Sequence, residues 1–389
     1  MEKLVIIGAG EFQLPLIQKA KSLNYETHVF AWEEGAVGKE VADYFYPISI
    51  TEKQEILDIC KKIQPKGVVS IGSDLAVLTV NYIARNLGLV CNPKESDLIT
   101  TNKYLMRDAF QNNSIPVPKF IKTDRLIQEN EIEDFTYPLI VKPTDRSGSR
   151  GIKKVNSFED LNLAISIAIN NSFEKCAIVE EYINGEEYSC ECISFESKHN
   201  CLAFTKKYTT GAPHFIETGH LEPADLDNEQ ITYFSKEIFK ALDALKIQYG
   251  ASHCEFKITD DGKIKIIEIG ARMGGDCIGS HLVQLSTSND YIKMVIDVAC
   301  GKRIDEIKNS IKQNAFIKFI FNQNDLNILE KLKTLYPEKI IYVSNIEKID
   351  NTHRITDSSS RFGFYIGVSL EKEIIETIIT SNDHRQLES

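Results

Sequence analysis

The first ninety residues switch repeatedly between two hydrophobic periods. KLVIIGAG (3–10) is an unbroken apolar run ending in glycine, as in a strand buried on both faces, and FQLPLIQKAKSLN (12–24) then repeats apolar residues at helical spacing. YETHVFAW (25–32) predicts a second strand, KQEILDICKKIQ (53–64) a helix, KGVVSIG (66–72) a third strand and DLAVLTVNYIARNLG (74–88) a further helix. Such alternation implies parallel βαβ units, so residues 1–95 are expected to form a Rossmann-like, doubly wound domain. Asn92-Pro93 reads as linker, followed by a helix in TNKYLMRDAFQNN (101–113) and an extended SIPVPKFI (114–121). From residue 137 the texture changes to paired strands: YPLIVKPT, GIKKVN, CAIVEEYI, EEYSCECISF and CLAFTKKY, punctuated by the helices FEDLNLAISIAINN and EQITYFSKEIFKALDALKI. That pattern predicts an α+β middle domain over 96–300, with a lid subdomain over about 115–188. Residues 301–389 give mixed strands, AFIKFIF and KIIYVS among them, a small C-terminal α+β lobe and a polar tail.

The segment SHCEFKITDDGKIKIIEIGARMGG (252–275) places two isolated acids, Glu255 and Glu268, in strand interiors on either side of Asp261-Gly262. With Asp-Gly at the centre of a type I′ turn, Ile258 faces Lys265, Phe256 faces Ile267, and Glu255 lands opposite Glu268. Cys254, Phe256, Ile258, Ile267, Ile269 and Ala271 then make a core face; His253, Lys257 and Arg272 share the face of the acids. Directly opposed carboxylates repel unless a cation sits between them or one holds a proton. A divalent metal is the simplest relief, and two carboxylates suit magnesium, which shares its shell with water and substrate phosphates. The competing reading is a register slip of one residue, or two solvated acids on an open sheet face.

Composition narrows the class. A chain of 389 residues with 42% hydrophobic and 26% charged content is long enough for two or three domains with ordinary soluble cores. A formal charge of −11 without a basic cluster argues against nucleic-acid binding. No run approaches the roughly 18 continuous apolar residues of a membrane span, so no membrane partner is expected. The opening MEKLVIIGAGEF runs straight into a glycine turn rather than forming a signal peptide, and nine cysteines read as reduced, buried thiols, which together predict a cytoplasmic protein. Cys190-x-Cys192 lacks zinc-site spacing and reads as one side of a strand.

Three further stretches carry candidate chemistry. GAGEFQ (8–13) has the first two glycines of a dinucleotide fingerprint, but Gln13 stands at the third; a turn that merely feeds a helix is the commoner meaning. VKPTDRSGSRGI (141–152) is a glycine- and serine-rich loop between strands, with Arg146 and Arg150, suited to a lid over a triphosphate; Lys142 supplies a fixed positive charge on the strand before it. IVEEYINGEEYSCE (178–191) is a strand that bends at Asn184-Gly185, where backbone groups can meet a planar base and a following carboxylate two ribose hydroxyls.

Taken in order, YPLIVKPTDRSGSRGI, IVEEYINGEEYS and the pair HCEFKI…IIEIGARMGG resemble the ATP-grasp superfamily of carboxylate–amine ligases, in its amino-acid-ligase and carbamoyl-phosphate-synthase-like branch. The resemblance covers residues 1–300 and implies a nucleotide held between two α+β subdomains, after a Rossmann-like domain that binds no dinucleotide. It implies that Lys103 and Lys142 contact the phosphates and the adenine edge. Glu180 and the backbone of Glu181 and Ile183 would read adenine, and Glu187 the ribose. Ser147, Gly148, Ser149 and Gly151 would form the lid, Glu255 and Glu268 would hold magnesium (or manganese), and Arg272 would steady the transferred phosphoryl group. One departure stands out: the family pattern reads Glu-x-Asn, with the asparagine a further metal ligand, and here it is Glu268-Ile-Gly270. His253, opposite Gly270, could fill that space or be structural.

On the substrate side, KKYTTGAPHFIETGHLEPADL (206–226) reads as a polar, broken passage, with Glu217 an ammonium partner and His220 a lining residue. Arg272, Gly274 and Gly275 would border the acceptor, with His281 beyond. The expected activity is transfer of the γ-phosphoryl group of ATP to a substrate carboxylate and capture of the acyl phosphate by an amine, with release of ADP and phosphate. Small-molecule carboxylates and amines are the expected partners, and a homodimer is what similar enzymes suggest. Two other readings compete: an NAD(P)-dependent enzyme using residues 1–90, and a non-catalytic ATP sensor of the same fold.

Overall fold

The computed structural model describes residues 1–148, 150–212, 214–304, 306–308, 311–350 and 355–381. The N-terminal part is a parallel sheet of β1 (Glu2–Ile7), β2 (Tyr25–Phe30), β3 (Tyr44–Tyr46) and β4 (Gly67–Val69), in the order β3-β2-β1-β4. Alternate residues of β1 feed two separate cores: Leu4 and Ile6 join Leu16 and Ile17 of α1 (Leu14–Ser22), while Val5 and Ile7 join Ile56 and Cys60 of α2 (Lys53–Ile63) and Ile83 of α3 (Asp74–Asn86). A strand clothed on both faces has no polar side, hence its continuous apolar run. The three residues of β3 were not anticipated, because so short a strand leaves no periodic signal.

After the short α4 (Lys94–Ile99), α5 (Lys103–Asn112) starts at Asn102, whose side chain accepts the Leu105 N–H at 3.1 Å. An antiparallel sheet follows, from β5 (Phe120–Thr123), β6 (Leu139–Pro143), β7 (Lys153–Val155) and β8 (Ala177–Glu181) in the order β5-β8-β6-β7, with α6 (Phe158–Asn171) packed against it.

The central sheet has eight strands, ordered β13-β12-β9-β10-β11-β14-β16-β15. They are β9 (Glu186–Phe195), β10 (Lys198–Thr209), β11 (Glu217–Glu222), β12 (Gly250–Ile258), β13 (Ile264–Gly270), β14 (Ala315–Ile320), β15 (Ile340–Val343) and β16 (Gly363–Val368). On one face Tyr188, Cys190, Cys192, Phe204, Cys254 and Phe256 bury against α7 (Asn228–Ala244). The sulfurs of Cys190, Cys192 and Cys201 gather within 4.8 Å there. The opposite face carries polar groups over its middle, while Ile193, Ala203 and Ala251 on it pack into the core shared with the N-terminal part. Two findings depart from the sequence expectations. The passage 206–226 is not merely a broken loop, because it contains β11, and the later strands β14, β16 and β15 extend the same sheet, since β14 pairs with β11. β11 (ETGHLE) was illegible as a strand because its polar residues Thr218, His220 and Glu222 are buried, so no polar–apolar alternation marks it. Among the described residues, no helix is long and apolar enough to cross a membrane.

The acid hairpin needs a correction as well. Glu255 does pair with Glu268, and His253 with Gly270, but by another route. The connection is a three-residue loop closed by Gly262 N–H to Thr259 C=O at 2.7 Å and Thr259 N–H to Lys263 C=O at 3.0 Å, with Gly262 alone at positive φ (+74°). That is a type I turn ending in a left-handed glycine, not a type I′ turn. Ile258 therefore faces Ile264 and Phe256 faces Ile266, and a bulge between Glu255 and Phe256 restores the acids to register. Ile264 and Ile266 take the core places, while Ile267 turns to the polar side.

Candidate active site

Because strand side chains alternate, the polar face of the central sheet carries its groups in rows. Glu268, Glu255 and Ser189 lie side by side on β13, β12 and β9, and Thr205 and Glu222 continue the row through β10 and β11. A second row holds Gly270, His253 and Glu191; a third holds Lys257, Glu187, Lys207 and His220. This face floors a cleft of about 1060 Å³, counting its open mouth, and the lid sheet forms the opposite wall.

Both facing acids have cationic partners. Lys207 donates to Glu255 at 2.7 Å and stands 3.1 Å from Glu187 and 4.0 Å from Glu217. Burial works against the charges of Lys207 and Glu255, but their attraction outweighs it: the lysine is held well above its ordinary pKa and the carboxyl well below its own. Glu268 accepts from Lys103 at 2.9 Å, and Lys103 also donates to the Arg146 carbonyl at 2.8 Å, tying the loop after β6 to the floor. His253 hydrogen-bonds Glu255 through Nε2 at 3.2 Å and Glu191, wholly buried, through Nδ1. Burial opposes the imidazolium, yet Glu191 and Glu255 raise its pKa above the ordinary value. Two carboxylates bridged by cations on a cleft floor form an all-oxygen donor pair that fits magnesium.

The lid wall carries a buried triad. Arg107 donates to Glu180 through Nε at 2.9 Å, and Lys142 contacts the same carboxylate. Burial would raise the carboxyl of Glu180, but Arg107 and Lys142 hold it down to about 2; burial pushes the Lys142 ammonium below its usual range. At the end of β8, the Tyr182 ring lies between Lys154 and Lys257, 4.0 Å and 4.5 Å from its centroid.

Of the residues singled out in the sequence, Lys103, Lys142, Ser147, Gly148, Glu180, Glu181, Ile183, Glu187, Glu217, Glu255, Glu268 and Arg272 line this one cleft. Ser149 lies outside the described residues. Gly151 faces Asn171 and Pro143 rather than the cleft. His220 lies on the same sheet face but is buried beside the cleft and does not line it, 3.8 Å from Asp276 and edge-on to Phe319, and burial lowers its pKa. Glu217 accepts from Ser358 at 2.6 Å. Gly274 donates its N–H to Glu191 at 2.9 Å, and a Cβ there would stand 2.4 Å from that carboxylate; Gly275 has open space beside it. His281 packs its ring 5.7 Å from Tyr342. The turn at 8–13 is closed by its own side chain: Gln13 accepts from Gly10 N–H at 3.2 Å and donates to the Ile71 carbonyl at 3.0 Å.

Sequence reasoning passed over Arg107, Lys207, Glu191 and Asp74. Two had a legible signal. Arg107 follows Lys103 by one helical turn, and Glu191, between Cys190 and Cys192, is an acid in a strand interior just as Glu255 is.

Glu222 closes the first row. It accepts from Thr205 at 2.8 Å, its other oxygen has no hydrogen-bond partner, and burial raises its pKa to about 8. The folded state thus holds this proton more tightly than the unfolded chain, whose value is 4.5. Its contribution to stability is full below that value and is lost as pH climbs through about 8. Urea unfolding at pH 6 and pH 8.5 should show Glu222→Gln gaining relative to the parent at the higher pH.

With this geometry in view, comparison with known proteins identifies the class. Residues 135–280 match the family model described as ATP-grasp domain. Formate-dependent phosphoribosylglycinamide formyltransferase of Prochlorococcus marinus (strain MIT 9515) is 28% identical over 217 residues, covering 50% of this chain and 55% of that protein. Alanine–anticapsin ligase of Bacillus subtilis (strain 168) is 26% identical over 305 residues, covering 69% and 63%. Among solved structures, an L-amino acid ligase from Bacillus licheniformis superposes with a TM-score of 0.81 at 21% identity, over 98% of this chain and 96% of that one. N5-carboxyaminoimidazole synthetase from Staphylococcus aureus complexed with ADP gives 0.76 at 16%, over 98% and 96%. The chain spans 55% and 59% of the length of the first two relatives it matches. Residues 135–280 thus match an ATP-grasp domain, and the whole chain has the multidomain ATP-grasp fold.

Proposed function

We propose that this chain is an ATP-dependent ligase that phosphorylates the carboxylate of a small molecule, an amino acid by preference, and joins it to an amine with release of ADP and phosphate. The observation that carries this reading is the convergence of Lys103, Lys142, Lys207, Lys257 and Arg272 with the facing acids Glu255 and Glu268 in one cleft. Cations and acids so arranged suit a triphosphate with its counter-ion far better than a neutral ligand. The relatives named as amino-acid ligases support the same substrate class.

In this reading adenine lies between the lid wall and the floor, its edge against the backbone of Glu181 and Ile183. Glu180, engaged by Arg107 and Lys142, holds Lys142 in place rather than meeting the base itself. Glu187 holds the ribose. Ser147 and Gly148, on the loop that Lys103 ties down, cover the phosphates. Glu255 and Glu268 would hold magnesium, or manganese in its place, which neutralises charge between the transferred and leaving phosphates. Lys142 and Arg272 stabilise charge as it builds on the moving phosphoryl group. Glu217, His220, Gly274 and Gly275 border the acceptor, with Glu217 the ammonium partner and His220 in the buried layer behind it. The test is ADP release from MgATP across amino acids supplied singly and in pairs, with products identified by mass. An amino-acid pair should give ADP and a product lighter than its parts by one water. The proposal fails if MgADP binds but no acid and amine together release ADP.

A further inference from the structure

The cleft-lining charges named so far come from α5, the lid or the central sheet, but Arg272 is held from the N-terminal domain. Asp74, the first residue of α3, accepts from Arg272 Nε through Oδ1 at 2.8 Å and from Nη2 through Oδ2 at 3.1 Å. This two-pronged contact fixes the plane of the guanidinium as well as its distance. Burial works against both charges, but each partner outweighs it, so Asp74 stays ionised below the ordinary carboxylate pKa.

A second observation points the same way. A Cβ built on Gly270 would stand 3.0 Å from Asp74 Oδ1 and 3.2 Å from both Cζ and Nε of Arg272. Gly270 has no positive φ, so space and not backbone conformation is what favours glycine there. The place of a side chain two residues beyond Glu268 is thus taken by an aspartate–arginine pair assembled across domains.

We infer that Asp74 is a positioning residue for phosphoryl transfer: it holds Arg272 by its fork, and Gly270 is small so that the pair can enter. The inference rests on the ligase reading above. It assigns the N-terminal domain a part in the chemistry, because the cleft gains an oriented guanidinium when that domain is docked.

The test uses the full chain and two probes, MgADP alone and MgADP with aluminium fluoride, a planar mimic of the moving phosphoryl group, in calorimetric titrations. Asp74→Asn and Gly270→Ala should bind MgADP within about twofold of the parent, yet lose about tenfold or more of the affinity that aluminium fluoride adds. Asp74→Asn combined with Arg272→Gln should fall no lower than Arg272→Gln alone, because the two residues act as one unit. Likewise, Gly270→Ala should cost nothing further in the Asp74→Ala background. Overturning results are an undiminished aluminium-fluoride gain in Asp74→Asn, losses that add in the double variants, or a fall in MgADP affinity as large as the fall in the gain. A parent chain that binds MgADP but gains nothing from aluminium fluoride also overturns the inference, whereas one that binds no MgADP overturns the ligase reading itself.

Discussion

Glu268→Gln is expected to reduce ADP release by about a hundred- to a thousandfold. The amide keeps the shape of the side chain and can still accept from Lys103, which also retains the Arg146 carbonyl, so the loop above the phosphates stays tied to the floor. What disappears is one of two facing negative charges on the sheet. Glu255 is already engaged by Lys207 and His253, so it cannot replace the lost charge by moving. Manganese binding in the presence of ADP, followed by electron paramagnetic resonance, should weaken along with turnover. Unchanged turnover and unchanged manganese affinity would remove both acids from the metal assignment.

The second large effect concerns stability. Glu180→Gln is expected to cost about 3–5 kcal/mol, because Arg107 and Lys142 are then buried without their shared anion. Lys142→Met should cost less, since Glu180 keeps its 2.9 Å bond to Arg107 and one buried cation is removed. Lys142→Met should nevertheless abolish ADP release, whereas loss of activity in Glu180→Gln should accompany loss of fold. Urea unfolding of the two variants beside their ADP release separates these roles. Equal stability losses would mean that the three charges do not act as a triad.

Much of this molecule was legible in the chain, for identifiable reasons. The parallel N-terminal sheet announced itself through runs such as KLVIIGAG, because a strand covered on both faces must be apolar throughout. The pairing of Glu255 with Glu268 was legible too, although the route to it contained two errors that cancelled. The turn is longer by one residue than Asp-Gly suggested, and the bulge beside Glu255 restores the register. A bulge is a local choice between ladder bonds and twist, and neither leaves a residue signature in IIEIG. β11 escaped notice because Thr218, His220 and Glu222 are polar and buried together. Alternation is a signal only when one face meets water, and in β11 every residue from Thr218 to Glu222 is buried.

The sequence by itself determined that acids and lysines would share one face of a strand pair and apolar side chains the other, since strand period and turn chemistry are local properties. The tertiary structure alone decided which cation answers which acid. Lys207 reaches Glu255 because β9 separates β10 from β12 in the strand order, and Asp74 reaches Arg272 across 198 residues because the first domain docks against the end of β13. Charges interact through space, and their distance in space is fixed by strand order and domain docking, which local residue patterns do not encode.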